Sequence, residues 1–129
     1  MIYIAGPFFT DKERDFLKIV IDTVKKYFPN EELFIPMEHF IPDGENLSNN
    51  EWAEAVFKMD VKALNKCDRV VAAYLGLRSD TGTAWEIGYA YAKGIPVNLI
   101  LSPEALEGEV SIMPIQSSIC PFKTKLNQK

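Results

Sequence analysis

The chain has 129 residues, 47% of them hydrophobic and 25% charged, with a formal net charge of −4. That length suffices for one core and is too short for two ordinary domains, so a single domain over residues 1–129 is expected. The acidic balance, with a pI near 5.0 and no basic run, argues against nucleic-acid backbones and anionic membranes as partners.

Residues 2–5 form a short β-rich run that Gly6-Pro7 ends. Thr10 or Asp11 can cap a helix reaching about Tyr27, with Phe16, Leu17, Val20, Ile21 and Val24 on one face. A second strand over 33–35 stops at Pro36, and the polar stretch 38–50 reads as a loop. A second helix spans about 51–65, followed by a continuous apolar strand over 69–75. A third helix carries Glu86 and ends at Gly94, and residues 97–101 make the last strand. The remainder is irregular, with one short helix near 104–107. Apolar strands separated by helices imply an α/β fold with a doubly wound parallel sheet of the Rossmann or flavodoxin-like kind. Ligands of such sheets sit beyond the carboxyl ends of the strands, the edge where Gly6, Asp80 and Glu86 fall.

Cys67 and Cys120 form no CxxC, and the lone His39 belongs to no metal-ligand pattern, so neither a metal nor a cofactor is expected. The start of the chain lacks the features of a signal peptide, and no stretch approaches the roughly 18 apolar residues of a membrane span. A reducing, cytoplasmic setting is expected.

Two carboxylates stand out. From Ala84 to Ala92 every residue is apolar or small except Glu86, and an ionised group on such a helix is costly to bury. Thr83 and Glu86 fit the capping-box spacing, which would put Glu86 at the third helical position, where the helix dipole favours its anion. The plain alternative is that Glu86 only caps its own helix. Asp60 falls inside the stripe Trp52, Val56, Met59, Ala63 and Leu64, with no Lys or Arg three or four residues away to pair with it. A ligand-facing role for Asp60 competes with a buried hydrogen bond to loop backbone. There is no P-loop and no dinucleotide fingerprint. Carboxylates without His or Cys then allow Mg²⁺-assisted phosphoryl transfer or glycosidic chemistry. The latter needs an ionised nucleophile and a second carboxyl raised in pKa as the acid, roles that suit Glu86 and Asp60 respectively.

IYIAGPFF, EWAEAVFKMDVKALNKCD, DTGTAWEIGYAYAKGIPV and VSIM, in this order and spacing, resemble the nucleoside 2-deoxyribosyltransferases along nearly the whole chain. The resemblance implies a flavodoxin-like sheet and a Glu, here Glu86, that attacks C1′ of a 2′-deoxynucleoside. A covalent deoxyribosyl-enzyme forms, and a second free base reverses the step. It further implies that Tyr3 orients Glu86, that Asp60 handles protons on the base, and that Asp80 holds the 5′-hydroxyl. Trp52 corresponds to an aromatic residue near the base, with core filling as the alternative. Gly6 lies with these groups at the substrate edge. Family transferases commonly carry Asn-Leu-Met where this chain has Ser111-Ile112-Met113, a segment supplied to a neighbouring subunit's pocket. A homodimer or larger homo-oligomer is therefore implied. Ser at that place is what related 2′-deoxynucleoside 5′-monophosphate N-hydrolases use to hold phosphate, which makes such a hydrolase the alternative activity. A non-catalytic nucleotide-binding module is a third reading, but it leaves Glu86 and Asp60 without purpose. The tail 121–129 also departs from the aromatic ending of some members.

Overall fold

The computed structural model describes residues 1–120, so the tail 121–129 lies outside the described residues. Strands β1 (Ile2–Ala5), β2 (Leu33–Phe34), β3 (Arg69–Tyr74) and β4 (Val97–Leu101) form one parallel sheet in the order β2-β1-β3-β4. A single bridge from Asn98 to Ile119 extends the sheet past β4. Helices α1 (Asp11–Tyr27), α2 (Asn49–Lys66) and α3 (Thr81–Ala92) make the three crossovers. The short helices α4 (Pro103–Glu107) and α5 (Ile112–Gln116) follow β4.

The strand order explains the winding. From β1 the chain steps outward to β2, then returns to lay β3 on the other side of β1. Right-handed crossovers must then put α1 on one face and α2 and α3 on the other. Strand alternation delivers the matching side chains. Ile2, Ile4, Val71 and Ala73 pack with Leu17, Val20, Ile21 and Val24 of α1. Tyr3, Ala5, Val70, Ala72, Tyr74 and Leu99 face Leu64, Ile87 and Ala90. Both faces are covered, which is why these strands read as unbroken apolar runs. The direction of winding reverses between β1 and β3, the place where sheets of this kind bind ligands beyond the carboxyl ends of their strands.

Several boundaries differ from expectation. Strand β2 ends at Phe34, because Ile35 already leads into the 3-10 turn Pro36–Glu38. Helix α2 starts at Asn49, because Ser48 and Glu51 form a reciprocal capping box. Within the expected loop 38–50 there is one 3-10 turn, Gly44–Asn46. Helix α5 was not expected at all. The stripe read on α2 is also corrected, since only Ala63 and Leu64 are buried and Trp52 is 49% exposed. The reason is length: 18 residues of helix run about 27 Å, whereas the six residues of β3 run about 20 Å. The amino-terminal half of α2 therefore overhangs the carboxyl edge of the sheet.

Two glycines are required by conformation. Gly94 follows the last turn of α3 at φ +74°, and Gly76 turns the chain out of β3 at φ +113°. Among the described residues, no helix is long and apolar enough to cross a membrane.

Candidate active site

Tyr3 is the second residue of β1 and is fully buried on the α2–α3 face. Its hydroxyl donates to Glu86 Oε2 across the gap between β1 and α3. Burial raises the Tyr3 phenol far above its ordinary range, with Glu86 and Asp60 adding to the effect, so it stays a donor at every working pH. Burial also pushes Glu86 up to about 8, while the Tyr3 hydrogen bond pulls the other way and Asp60 and Asp80 raise it further. Asp60, in the carboxyl-terminal half of α2, is raised by burial to about 6, with His39 opposing. Its Oδ1 is buried without a hydrogen-bond partner among the described residues.

The position of Glu86 on its helix differs from expectation. Glu86 was expected at the third helical position, held ionised by the dipole. Instead Asp80 caps α3, its Oδ2 accepting from the Thr83 N–H at 3.1 Å and the Thr83 hydroxyl at 3.3 Å. The helix starts at Thr81, so Glu86 is the sixth residue, beyond the first turn where the dipole acts. Desolvation wins there and raises the Glu86 carboxyl. Glu86 makes no capping bond, which removes the plain alternative for it.

Asp80 has a second setting. Its capped end of α3 lines a cavity of about 210 Å³ with Tyr74, Ser79, Thr81, Ser111 and Met113. Ser111 is fixed there by its backbone N–H, which donates to the Tyr74 hydroxyl at 2.8 Å. Ser111 precedes α5 but makes no side-chain capping bond to it. Ser111 and Met113 thus share a cavity with Asp80 within one chain. Met113 is nevertheless 76% exposed.

The expected residues fall into two groups. Tyr3, Glu86 and Asp60 converge on the sheet face, and Asp80, Ser111 and Met113 line the adjoining cavity. Trp52 is no core filler; it lies against the 41–46 turn, where a Cβ on Gly44 would come within 3.2 Å of its ring. Gly6 has a packing reason of its own, because a Cβ there would meet Leu17 at 2.9 Å and Ala73 at 3.0 Å. Phe34, His39 and Tyr74 escaped sequence reasoning. Phe34 pairs in register with Tyr3, and only parallel pairing between distant strands reveals that.

The sequence model of the family described as nucleoside 2-deoxyribosyltransferase matches residues 2–111, most of the chain. The chain belongs to the nucleoside 2-deoxyribosyltransferase family. Its relatives include the nucleoside deoxyribosyltransferase of Lactobacillus leichmannii, 23% identical over 120 residues, which are 87% of this chain and 76% of that protein. The Lactobacillus johnsonii nucleoside deoxyribosyltransferase is 29% identical over 85 residues, 61% of this chain; the match spans only 56% of that relative's length. Among solved structures, the 2-deoxyribosyltransferase of Bacillus psychrosaccharolyticus superposes with a TM-score of 0.77 at 30% identity, covering 91% of this chain and 81% of that one. A conserved protein from Enterococcus faecalis V583 gives 0.61 at 28% identity, covering 76% and 60%. Family membership accords with the order β2-β1-β3-β4 and with the flavodoxin-like winding.

Proposed function

We propose that this chain exchanges the base of a 2′-deoxynucleoside through a covalent deoxyribosyl-Glu86 intermediate. The observation that carries the reading is the Tyr3–Glu86 hydrogen bond inside an otherwise apolar layer. A carboxyl is kept there at the cost of desolvation and is aimed by a donor that never ionises. Glu86 in its anionic form attacks C1′, and the C1′–N bond breaks with its electron pair leaving on the base. Asp60 supplies the proton that the departing base takes up. A second base then attacks C1′, expels Glu86 and returns a proton to Asp60. Asp80 and Ser111 hold the 5′ end of the sugar beside Met113. Gly6 and Trp52 flank the substrate edge, and the active unit is a homodimer or larger homo-oligomer.

Incubating the protein with a deoxynucleoside and a different free base tests the reading, because exchange, hydrolysis alone and no reaction are distinct outcomes. Glu86→Ala should fold and lose exchange by several orders of magnitude. A folded variant keeping roughly a tenth of wild-type exchange would remove Glu86 from the role of nucleophile.

The hydroxyls of Ser79, Thr81 and Ser111 around the cavity favour a second reading, an N-glycoside hydrolase of deoxynucleoside 5′-monophosphates. Charge argues against it. A phosphate oxygen about 4 Å from Asp80 is repelled by about 1 kcal/mol in water and about 4 kcal/mol at an effective dielectric near 20. One serine hydrogen bond returns about 1 kcal/mol, and the cavity lining holds no Lys or Arg. The unphosphorylated nucleoside should therefore be preferred by at least about tenfold in kcat/KM, or about 1.4 kcal/mol. Measuring kcat/KM for a deoxynucleoside and its 5′-monophosphate side by side decides it, and equal use of the monophosphate would favour the hydrolase.

A further inference from the structure

Where β3 ends, the chain turns out of the sheet at Gly76, whose φ of +113° side chains rarely adopt. Just past that turn the Leu77 N–H donates to the Glu109 carbonyl at 2.9 Å. In the opposite sense, the Ser111 N–H donates to the Tyr74 hydroxyl at 2.8 Å. The two bonds bracket Val110 and hold the segment 109–111 against the end of β3. Tyr74, the last residue of that strand, is 3% exposed, so its ring is fixed by packing and its oxygen by Ser111.

Tyr74 uses only half of its hydroxyl in this way. A phenol can accept and donate, and buried tyrosine hydroxyls normally find partners. Toward Ser111 it accepts, while its own O–H donates to nothing among the described residues. Tyr74 lines the cavity of about 210 Å³ that Asp80 also lines. Asp80 shows the complementary deficit. Its Oδ2 takes both bonds from Thr83, and its Oδ1 accepts none among the described residues. A fixed open donor and an open acceptor in one small cavity suit a group that accepts and donates at a single atom. A hydroxyl is such a group. A hydrogen in its place offers neither function, and a phosphate dianion offers acceptors alone.

We propose that the Tyr74 hydroxyl is the donor half of a 5′-hydroxyl site: it donates to the sugar's 5′-oxygen, and that hydroxyl donates its own proton to Asp80 Oδ1. The inference rests on the reading above that puts the 5′ end of the sugar in this cavity. Ser79, Thr81 and Ser111 also bring hydroxyls to the lining. Tyr74 differs from them in being anchored at both ends, by its buried ring and by the Ser111 N–H. Accepting that N–H also polarises the phenol and strengthens its own donation. One oxygen thus braces the cavity wall and determines specificity at the 5′ position.

Tyr74→Phe keeps the ring and removes the hydroxyl, and the Leu77–Glu109 bond remains to hold the segment. The probes are two carbocyclic 2′-deoxynucleosides of one base, with either a hydroxyl or a hydrogen at the 5′ position. Neither has the acetal carbon that the exchange needs. Dissociation constants are measured by calorimetry for wild type and variant. Wild type should bind the hydroxylated probe at least about tenfold more tightly than its 5′-deoxy counterpart. Tyr74→Phe should cut that ratio about fivefold, the loss of one neutral hydrogen bond, and change binding of the 5′-deoxy probe by less than about twofold. A variant that weakens on both probes alike overturns the proposal, because Tyr74 would then only brace Ser111. Equal binding of the two probes by wild type overturns it without any variant. Neither measurement needs turnover. A protein that exchanges no base would sink the reaction assigned above, while the ratio of the two probes would still report on Tyr74.

Discussion

Glu86 pairs a functional demand with an energetic cost. Its folded-state value of about 8 lies well above the ordinary 4.5, so between those values the folded protein binds a proton that the unfolded chain releases. Stability therefore falls as pH rises through that window, and the loss is complete above about 8. Glu86→Gln keeps an acceptor for the Tyr3 hydroxyl and removes the titration. Its melting temperature should exceed wild type by several degrees more at pH 9 than at pH 5, at about 4 °C per kcal/mol for a chain of this size. Thermal unfolding of both proteins at the two pH values checks this. Parallel pH dependence would mean that burial is not what raises Glu86. The same accounting leaves one proton shared by Glu86 and Asp60 between about 6 and 8, mostly on Glu86. In the exchange proposed above, the attacking form of Glu86 would require that proton to pass to the base side of the site.

Among the elements, α3 joins the two halves of the site, with Asp80 at its start and Glu86 one and a half turns on. Asp80→Ala removes the cap that serves Thr83 and should cost about 1 kcal/mol of stability. Asp80→Asn keeps an acceptor and should cost much less, while under the proposed function both variants should weaken use of the nucleoside's 5′-hydroxyl. Chemical denaturation together with KM resolves the two roles, and equal stability of the Ala and Asn variants would deny Asp80 the cap. From sequence, β1, β3, β4 and α1 were legible because apolar runs and periodicity report burial directly. Glu86 and Asp60 were legible as charges that burial makes expensive. The start of α3 was not, because Asp80 and Thr83 are both good caps and Gly82 between them argued for a turn. Helix α5 was hidden by Pro114, which is tolerated there because the first turn of a helix leaves its N–H groups unbonded. Nor was the stacking of Phe34 on Tyr3 legible, since it depends on the two meeting across strands about thirty residues apart in the chain.

At the scale of the whole molecule, the outer face of α3 is the anomaly. A helix apolar all round is normally buried on every side, yet here Trp85 is 47% exposed and Tyr91 65%. Phe57 of α2, 54% exposed, meets Trp85 edge-on at 5.4 Å, and Trp85 stacks on Tyr89 at 5.2 Å. Such a row of exposed rings is the kind of surface that marks an interface, and the homodimer proposed above supplies the second copy. A two-fold axis would set each copy's row against its mate, one residue from Glu86. Phe57→Glu would then bring like charges together across the axis and should dissociate the assembly. Phe57 has no part in the exchange chemistry proposed above, so loss of exchange together with dissociation would come through the assembly. Sedimentation of wild type and variant, with exchange measured on the same samples, gives the outcome. A wild-type protein that sediments as a monomer and retains full exchange would leave α3 exposed for some other reason and remove the second copy from the active unit.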